Sequence, residues 1–145
     1  NPERTPMQWS AGANAGFSAA EPWLPVADNY REVNVAAQEK DRESLLNWHR
    51  DLIRLRKERP ALHRGALRFI GNDPDVLAYA REDEKERILV VLNFSGASRN
   101  VGVEGSSWRV LCGTDRKASS ELQGNRIEIR PCEVLVLEDI RAQRP

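Results

Sequence analysis

The sequence predicts a mainly β protein, a small antiparallel sandwich or barrel preceded by a long loop and one helix. Three observations carry this. From Gly65 onward, apolar residues recur with a period of two, and turn-forming residues interrupt them about every ten positions. Residues 41–59 instead repeat large apolar side chains at three- and four-residue steps. The first forty residues show neither period and are punctuated by Pro2, Pro6, Gly12, Gly16, Pro22 and Pro25.

That first stretch is irregular without being disordered in composition. Met7, Trp9, Phe17, Trp23, Leu24 and Tyr30 need a surface to pack on, so a long functional loop lying on a larger scaffold is expected. The helix is expected over residues 41–59. Asp41 is the candidate N-cap and Glu43 suits the positive end of the helix dipole. Leu45, Trp48, Leu52 and Leu55 form an apolar stripe, Arg54, Arg56, Lys57 and Arg59 suit the negative end, and Pro60 stops the pattern. His49 reads as a packing or capping histidine, because no second metal ligand is in register.

Seven strands are predicted: 66–70, 76–82, 87–94, 98–103, 108–112, 126–129 and 132–138. Ile88 to Leu92 is continuously apolar, which predicts a central strand buried on both faces. The charged run Arg81 to Arg87 reads as a solvated hairpin turn, and Trp108 and Tyr79 read as core. The chain therefore divides into residues 1–64, loop plus helix, and residues 65–145, an all-β domain. About eighty residues can bury a modest core, whereas one helix and one loop have no second layer to bury against.

Lys and Arg total 22, as do Asp and Glu, so the net charge is zero. A neutral chain lacks the electrostatic footprint of a nucleic-acid binder, and no basic tract addresses an anionic membrane surface. No apolar run approaches the roughly 20 residues that span a bilayer. Asn1-Pro2-Glu3-Arg4 is not a signal peptide and reads as interior sequence of a longer protein. Cys112 and Cys132 read as two free thiols in a reducing cytoplasm, with a single bridge between strand ends as the alternative.

Little in the residues points to self-contained chemistry. His49 and His63 have no neighbouring ligands for a metal, no Gly-x-Ser-x-Gly elbow is present, and no Gly-rich phosphate loop follows a strand. No catalytic residue, metal ligand or cofactor site is predicted. The carboxylates lie mostly beside Lys or Arg on expected surfaces. The segment Arg4-Thr5-Pro6-Met7-Gln8-Trp9 stands apart: it sets a forked five-donor cation and an indole in a Pro-rigidified loop. The arginine fork suits neighbouring sugar hydroxyls or a carboxylate.

That segment, followed by Asn14-Ala15-Gly16-Phe17, Pro22-Trp23-Leu24-Pro25-Val26, Asn34-Val35 and Gln38, resembles glycoside hydrolase family 13, in its α-glucosidase and oligo-1,6-glucosidase branch. Leu52 to Lys57 with Pro60-Ala61-Leu62 resembles the last helix of the family's barrel. Val90 to Phe94 and Pro131 to Leu137 resemble strands of its C-terminal β-domain. The resemblance implies an enzyme with a (β/α)8 barrel, of which residues 1–64 are the end and residues 65–145 the C-terminal β-sandwich. The active site of such a barrel lies at the C-terminal ends of its strands. The family's retaining mechanism uses two carboxylates, which come from earlier strands and have no counterpart in this sequence. By itself this chain is thus expected to be inactive.

The resemblance further implies that Arg4 binds the glucose unit in the site before the scissile bond, with Gln8 and Trp9 as loop architecture. The expected partners are an oligosaccharide substrate and the rest of the barrel, with no nucleic acid, membrane or cofactor, and a cytoplasmic setting. Asn1-Pro2-Glu3 departs from the Asp-Gly-containing lead of the family. The alternatives are a trehalose synthase (maltose isomerase), the non-enzymatic heavy subunit of amino-acid transporters, and a carbohydrate-binding or structural β-domain. The short stretch from Pro22 to Tyr30 favours the glucosidase over the synthase.

Overall fold

A computed structural model describes residues 4–140 of the 145-residue chain. The departure at Asn1-Pro2-Glu3 lies outside the described residues. Two compact units divide the chain, Asn1–Arg54 and Leu55–Pro145.

In the first unit a 3-10 turn spans Ala13–Gly16 and a short helix, α1, spans Val35–Lys40. Helix α2, Leu45–Glu58, begins in this unit and ends in the second. The expected helix thus starts at Leu45, not Asp41. Asp41 instead ends α1 in an extended conformation, its carboxylate accepting the Glu43 N–H (2.9 Å). Ser44 takes over as the cap of α2: its Oγ accepts the Asn47 N–H (3.3 Å) and its carbonyl the Trp48 N–H (2.9 Å). Helix α1 lies where loop was expected. Its six residues are too few for a helical period to register in the sequence, and Asn34 starts it by accepting the Ala37 N–H (2.9 Å).

No residue of α2 is buried, and Leu45, at the start of its stripe, is 71% exposed. Several other large apolar groups of this unit are exposed as well: Trp23 is 89% exposed and Trp9 51%. Ala15 is the one hydrophobic residue of the unit's described part that is fully buried. The unit holds its shape by hydrogen bonds at turns and caps, with almost no apolar core.

The second unit is an antiparallel β-sandwich. After helix α3, Pro60–Arg64, the strands are β1 (Ala66–Phe69), β2 (Val76–Glu82), β3 (Arg87–Asn93), β4 (Arg99–Gly102), β5 (Ser107–Gly113), β6 (Glu121–Gln123), β7 (Arg126–Ile129) and β8 (Val134–Asp139). Six of them form one sheet in the order β1-β2-β3-β8-β5-β6, and β4 pairs with β7 in the other. Every pairing is antiparallel. Strand β6 was not anticipated; its three residues, Glu121-Leu122-Gln123, lie at the sheet edge and carry too little apolar alternation to be read.

Alternation sorts the side chains. Leu89 and Val91 of β3 point, with Leu135, Leu137, Val110 and Trp108, toward Val101, Ile127 and Ile129 of the small sheet, and these form the main core. Ile88 and Val90 face the other way, with Val136, onto Ala61 of α3. Strand β3 is therefore buried on both faces, as its continuous apolar run predicts. Each such Leu or Ile contributes about 1.5–3 kcal/mol by burial. Trp108 is 1% exposed and Tyr79 half-buried against the second cluster. Gly65 joins α3 to β1 where no side chain fits: a Cβ there would sit 2.6 Å from the Ala61 carbonyl oxygen and 2.8 Å from that of Glu82. No disulfide joins Cys112 and Cys132.

Three acidic side chains are buried, contrary to the surface placement expected of them: Glu133, Glu138 and Asp139. Tertiary pairing explains each. Glu138 accepts from Arg59 (2.7 Å) and Arg109 (3.4 Å), and Arg59 also reaches Glu86 (3.2 Å). Burial opposes the charge on Arg59, but its hydrogen bonds to Glu138 and Glu86 outweigh that and hold its pKa above the ordinary arginine value. Asp139 lies 3.6 Å from Arg87, whose own pKa is raised chiefly by its 2.6 Å hydrogen bond to Glu82. Glu133 Oε2 accepts the Arg130 N–H (2.7 Å) and an Arg116 Nη2 proton (3.2 Å). Its Oε1 lies 2.9 Å from Arg116 Nε, yet neither atom completes a hydrogen bond, so that contact is Coulombic and lacks hydrogen-bond direction.

Candidate functional site

The Arg4–Trp9 segment is held from two sides. On one side, Gln8 and Trp9 pair with the start of α1: the Val35 N–H donates to the Gln8 carbonyl (2.9 Å) and the Ala36 N–H to that of Trp9 (3.1 Å). The Gln8 side-chain amide donates to Asn29 Oδ1 (3.0 Å) and to the Val33 carbonyl (2.7 Å). Asn34, buried, ties the same turn together by donating to the Tyr30 carbonyl (2.9 Å) while capping α1.

On the other side stands the 3-10 turn. The Ala15 carbonyl accepts two backbone protons, from Trp9 and Ser10, each at 2.9 Å. It is aimed there by three successive residues in the left-handed region, Asn14 (φ 50°), Ala15 (φ 56°) and Gly16 (φ 68°). A buried alanine at positive φ is costly and persists only where its surroundings dictate it. Here the Asn14 amide supplies part of that, donating to the carbonyls of Ser18 (3.1 Å) and Ala20 (3.0 Å). The Asn14-Ala15-Gly16 motif is thus a backbone device that fixes where Trp9 lies.

Arg4 is the first residue of this segment. It is exposed, and among the described residues its guanidinium forms no hydrogen bond or ion pair. Pro6, two residues on, is buried. Trp9 lies half in solvent, and Gln38 serves the helices: its Oε1 accepts the Leu46 N–H (3.0 Å) at the first turn of α2. His49 caps nothing distant, its Nδ1 contacting the Leu45 carbonyl one turn back (2.8 Å). The residues that sequence reasoning missed are Asn29, the partner of Gln8, and Ser44, the cap of α2. Ser44 is a cap-type residue, but so is Asp41, and the sequence alone does not choose between them; Asn29 carried no signal, since its partner lies 21 positions away.

Among the described residues, two of the clefts bear on binding. One, about 180 Å³, opens between Thr5–Gln8 and Val33–Gln38. It falls below the roughly 300–1,000 Å³ of ordinary ligand pockets, so alone it encloses no sugar. The other, about 450 Å³, lies in the β unit between the Gly71–Pro74 turn and Asn100–Gly102. It has no aromatic wall, and Asp73 on its rim is engaged by Arg99 (3.6 Å) and the Asp75 N–H (2.9 Å). Neither cleft is lined by the buried acids Glu133, Glu138 or Asp139. Among the described residues no group of three or more His, Cys, Asp or Glu could hold a metal ion, and no helix is long and apolar enough to cross a membrane.

Two family models match stretches of the chain. Residues 1–65 match the α-amylase catalytic domain, and residues 67–128 match the maltogenic amylase C-terminal domain. This chain belongs to the α-amylase family of glycoside hydrolases. Among curated members of that family, it is 35% identical over 92% of its length to a trehalose-6-phosphate hydrolase of Bacillus subtilis, covering 24% of that protein. It is 43% identical over 63% of its length to a probable oligo-1,6-glucosidase of the same organism, covering 17%. Among solved structures it resembles the trehalulose synthase MutB from Pseudomonas mesoacidophila MX-45, with 35% identity, a TM-score of 0.80, and coverage of 93% of this chain and 25% of that one. The chain thus spans between 17% and 25% of the length of these family members.

Proposed function

We propose that this chain is the C-terminal portion of an α-glucosidase that removes terminal α-linked glucose from short oligosaccharides by a retaining mechanism. In this reading residues 1–64 complete the (β/α)8 barrel, with the Arg4–Trp9 segment beside its active site, and residues 65–145 are the C-terminal domain. The pair of carboxylates that performs retaining hydrolysis belongs to the earlier part of the enzyme, so this chain alone turns over no substrate. Arg4 binds the glucose before the scissile bond, donating from its fork to neighbouring hydroxyls.

The observation that carries the reading is the state of Arg4: exposed, unengaged, and presented by a segment clamped on both sides. A surface arginine needs no such support, whereas a binding arginine does. The exposed Leu45 at the start of α2 and the exposed Trp9 and Trp23 add to it, since they are surfaces suited to the remainder of a barrel.

The test is an assay of the full-length enzyme with maltose, isomaltose, sucrose, trehalose and trehalose 6-phosphate, separating glucose release from isomer formation. Glucose release from maltose or isomaltose is the expected result. In the same enzyme Arg4→Ala should lower kcat/KM at least tenfold while leaving the thermal midpoint within a few degrees; parallel losses of both would make Arg4 structural. A second reading, a sugar isomerase, draws on the likeness to the trehalulose synthase. Conversion of a disaccharide into its isomer without net glucose release would select it.

A further inference from the structure

Gln8 joins three stretches of the first unit. Its amide nitrogen donates to Asn29 and to the Val33 carbonyl, and its own carbonyl accepts the Val35 N–H. Both side-chain partners are acceptors. Glutamine meets them because it offers two N–H protons at that reach without bringing a charge; a glutamate of the same shape would set oxygen against oxygen. From this anchor the chain runs back through Met7 to Pro6, whose φ is locked by its ring and which is buried, and then through Thr5 to Arg4. Pro6 is thus a rigid link in the short stretch between anchor and arginine, through which the position of Gln8 bears on that of Arg4.

We propose that Gln8 is a positioning residue that sets Arg4 against the sugar. This rests on the reading of Arg4 given above. Misplacing a positioned group by about 1 Å can cost about 10²-fold in rate even when the altered residue is far from the chemistry.

A double-mutant cycle in the full-length enzyme tests it, with glucose release from maltose and isomaltose as the readout and thermal midpoints measured in parallel. Gln8→Glu should lower kcat/KM by about 10-fold to 10²-fold with its midpoint within a few degrees of the wild type. Arg4→Ala combined with Gln8→Glu should be no worse than Arg4→Ala alone, because a positioning residue has nothing left to position. Additive losses in the double variant would overturn the proposal while leaving Arg4 as the sugar ligand. Wild-type turnover by Arg4→Ala would remove the underlying reading and the proposal with it. Gln8→Met, which strips both donors without adding charge, is read in the same cycle. If neither Gln8 variant folds, Gln8 is a fold residue and the proposal fails.

Discussion

Glu133 buries a carboxyl group completely, and Arg116 and the Arg130 N–H meet it there. In the sequence it follows Pro131-Cys132 at the head of an apolar strand and looks like one more solvated acid. Only the approach of Arg116, 17 positions back, makes it a core residue. Removing one partner of a buried pair strands the other, which costs about 3–5 kcal/mol. Glu133→Ala should therefore lower the stability of the β unit by that amount, read as a fall in the urea midpoint; a loss below about 1 kcal/mol would show that the pair is not desolvated. Arg4 is the opposite case. Its neighbours in the chain were enough to single it out, because the motif is contiguous, and the structure adds how the segment behind it is held.

The turn between β2 and β3 is built by Asp83, whose Oδ1 accepts the N–H groups of Lys85 (2.9 Å) and Glu86 (3.0 Å). Those two donors, the Lys85 N–H first, hold its carboxyl below the ordinary aspartate range. Its folded pKa is thus lower than its unfolded one. The stabilisation is fully present above the unfolded value, about pH 4, and is lost as pH falls through the lower folded value. Asp83→Ala should show a shallower loss of stability below about pH 4 than the wild type, with parallel curves above it, in urea unfolding followed across the acid range. The hairpin itself was readable from its charged run between two apolar segments. The start of α2 was not, because Asp41 and Ser44 both satisfy the pattern of a cap and only the three-dimensional course of the chain shows which one turns into the helix.

At the scale of the molecule the two units are stabilised by different means. The β unit buries Leu89, Val91, Leu135 and Leu137 between two sheets, whereas the described part of the first unit fully buries Ala15 alone among its hydrophobic residues. Local opening is least costly where apolar burial is scarce. In hydrogen exchange, the amides of Leu89–Val91 should be protected at least about 10³-fold more than those of Ala37–Gln38, which have only a short helix behind them. Equal protection would mean that capping hydrogen bonds alone can hold a coreless segment as firmly as a sandwich.

Strands β3 and β8, the hairpin between β2 and β3, and the apolar stripe of α2 were all legible in the order of residues. Period and turn chemistry act over a few positions and are written locally. The burial of Glu133, Glu138 and Asp139, the bond from Gln8 to Asn29, and the exposure of Leu45 and Trp23 were not. Each depends on which distant segment arrives, or does not arrive, beside a given side chain. Burial and charge pairing are properties of that meeting, so they emerge with the packed fold and cannot be read from any one stretch of the chain.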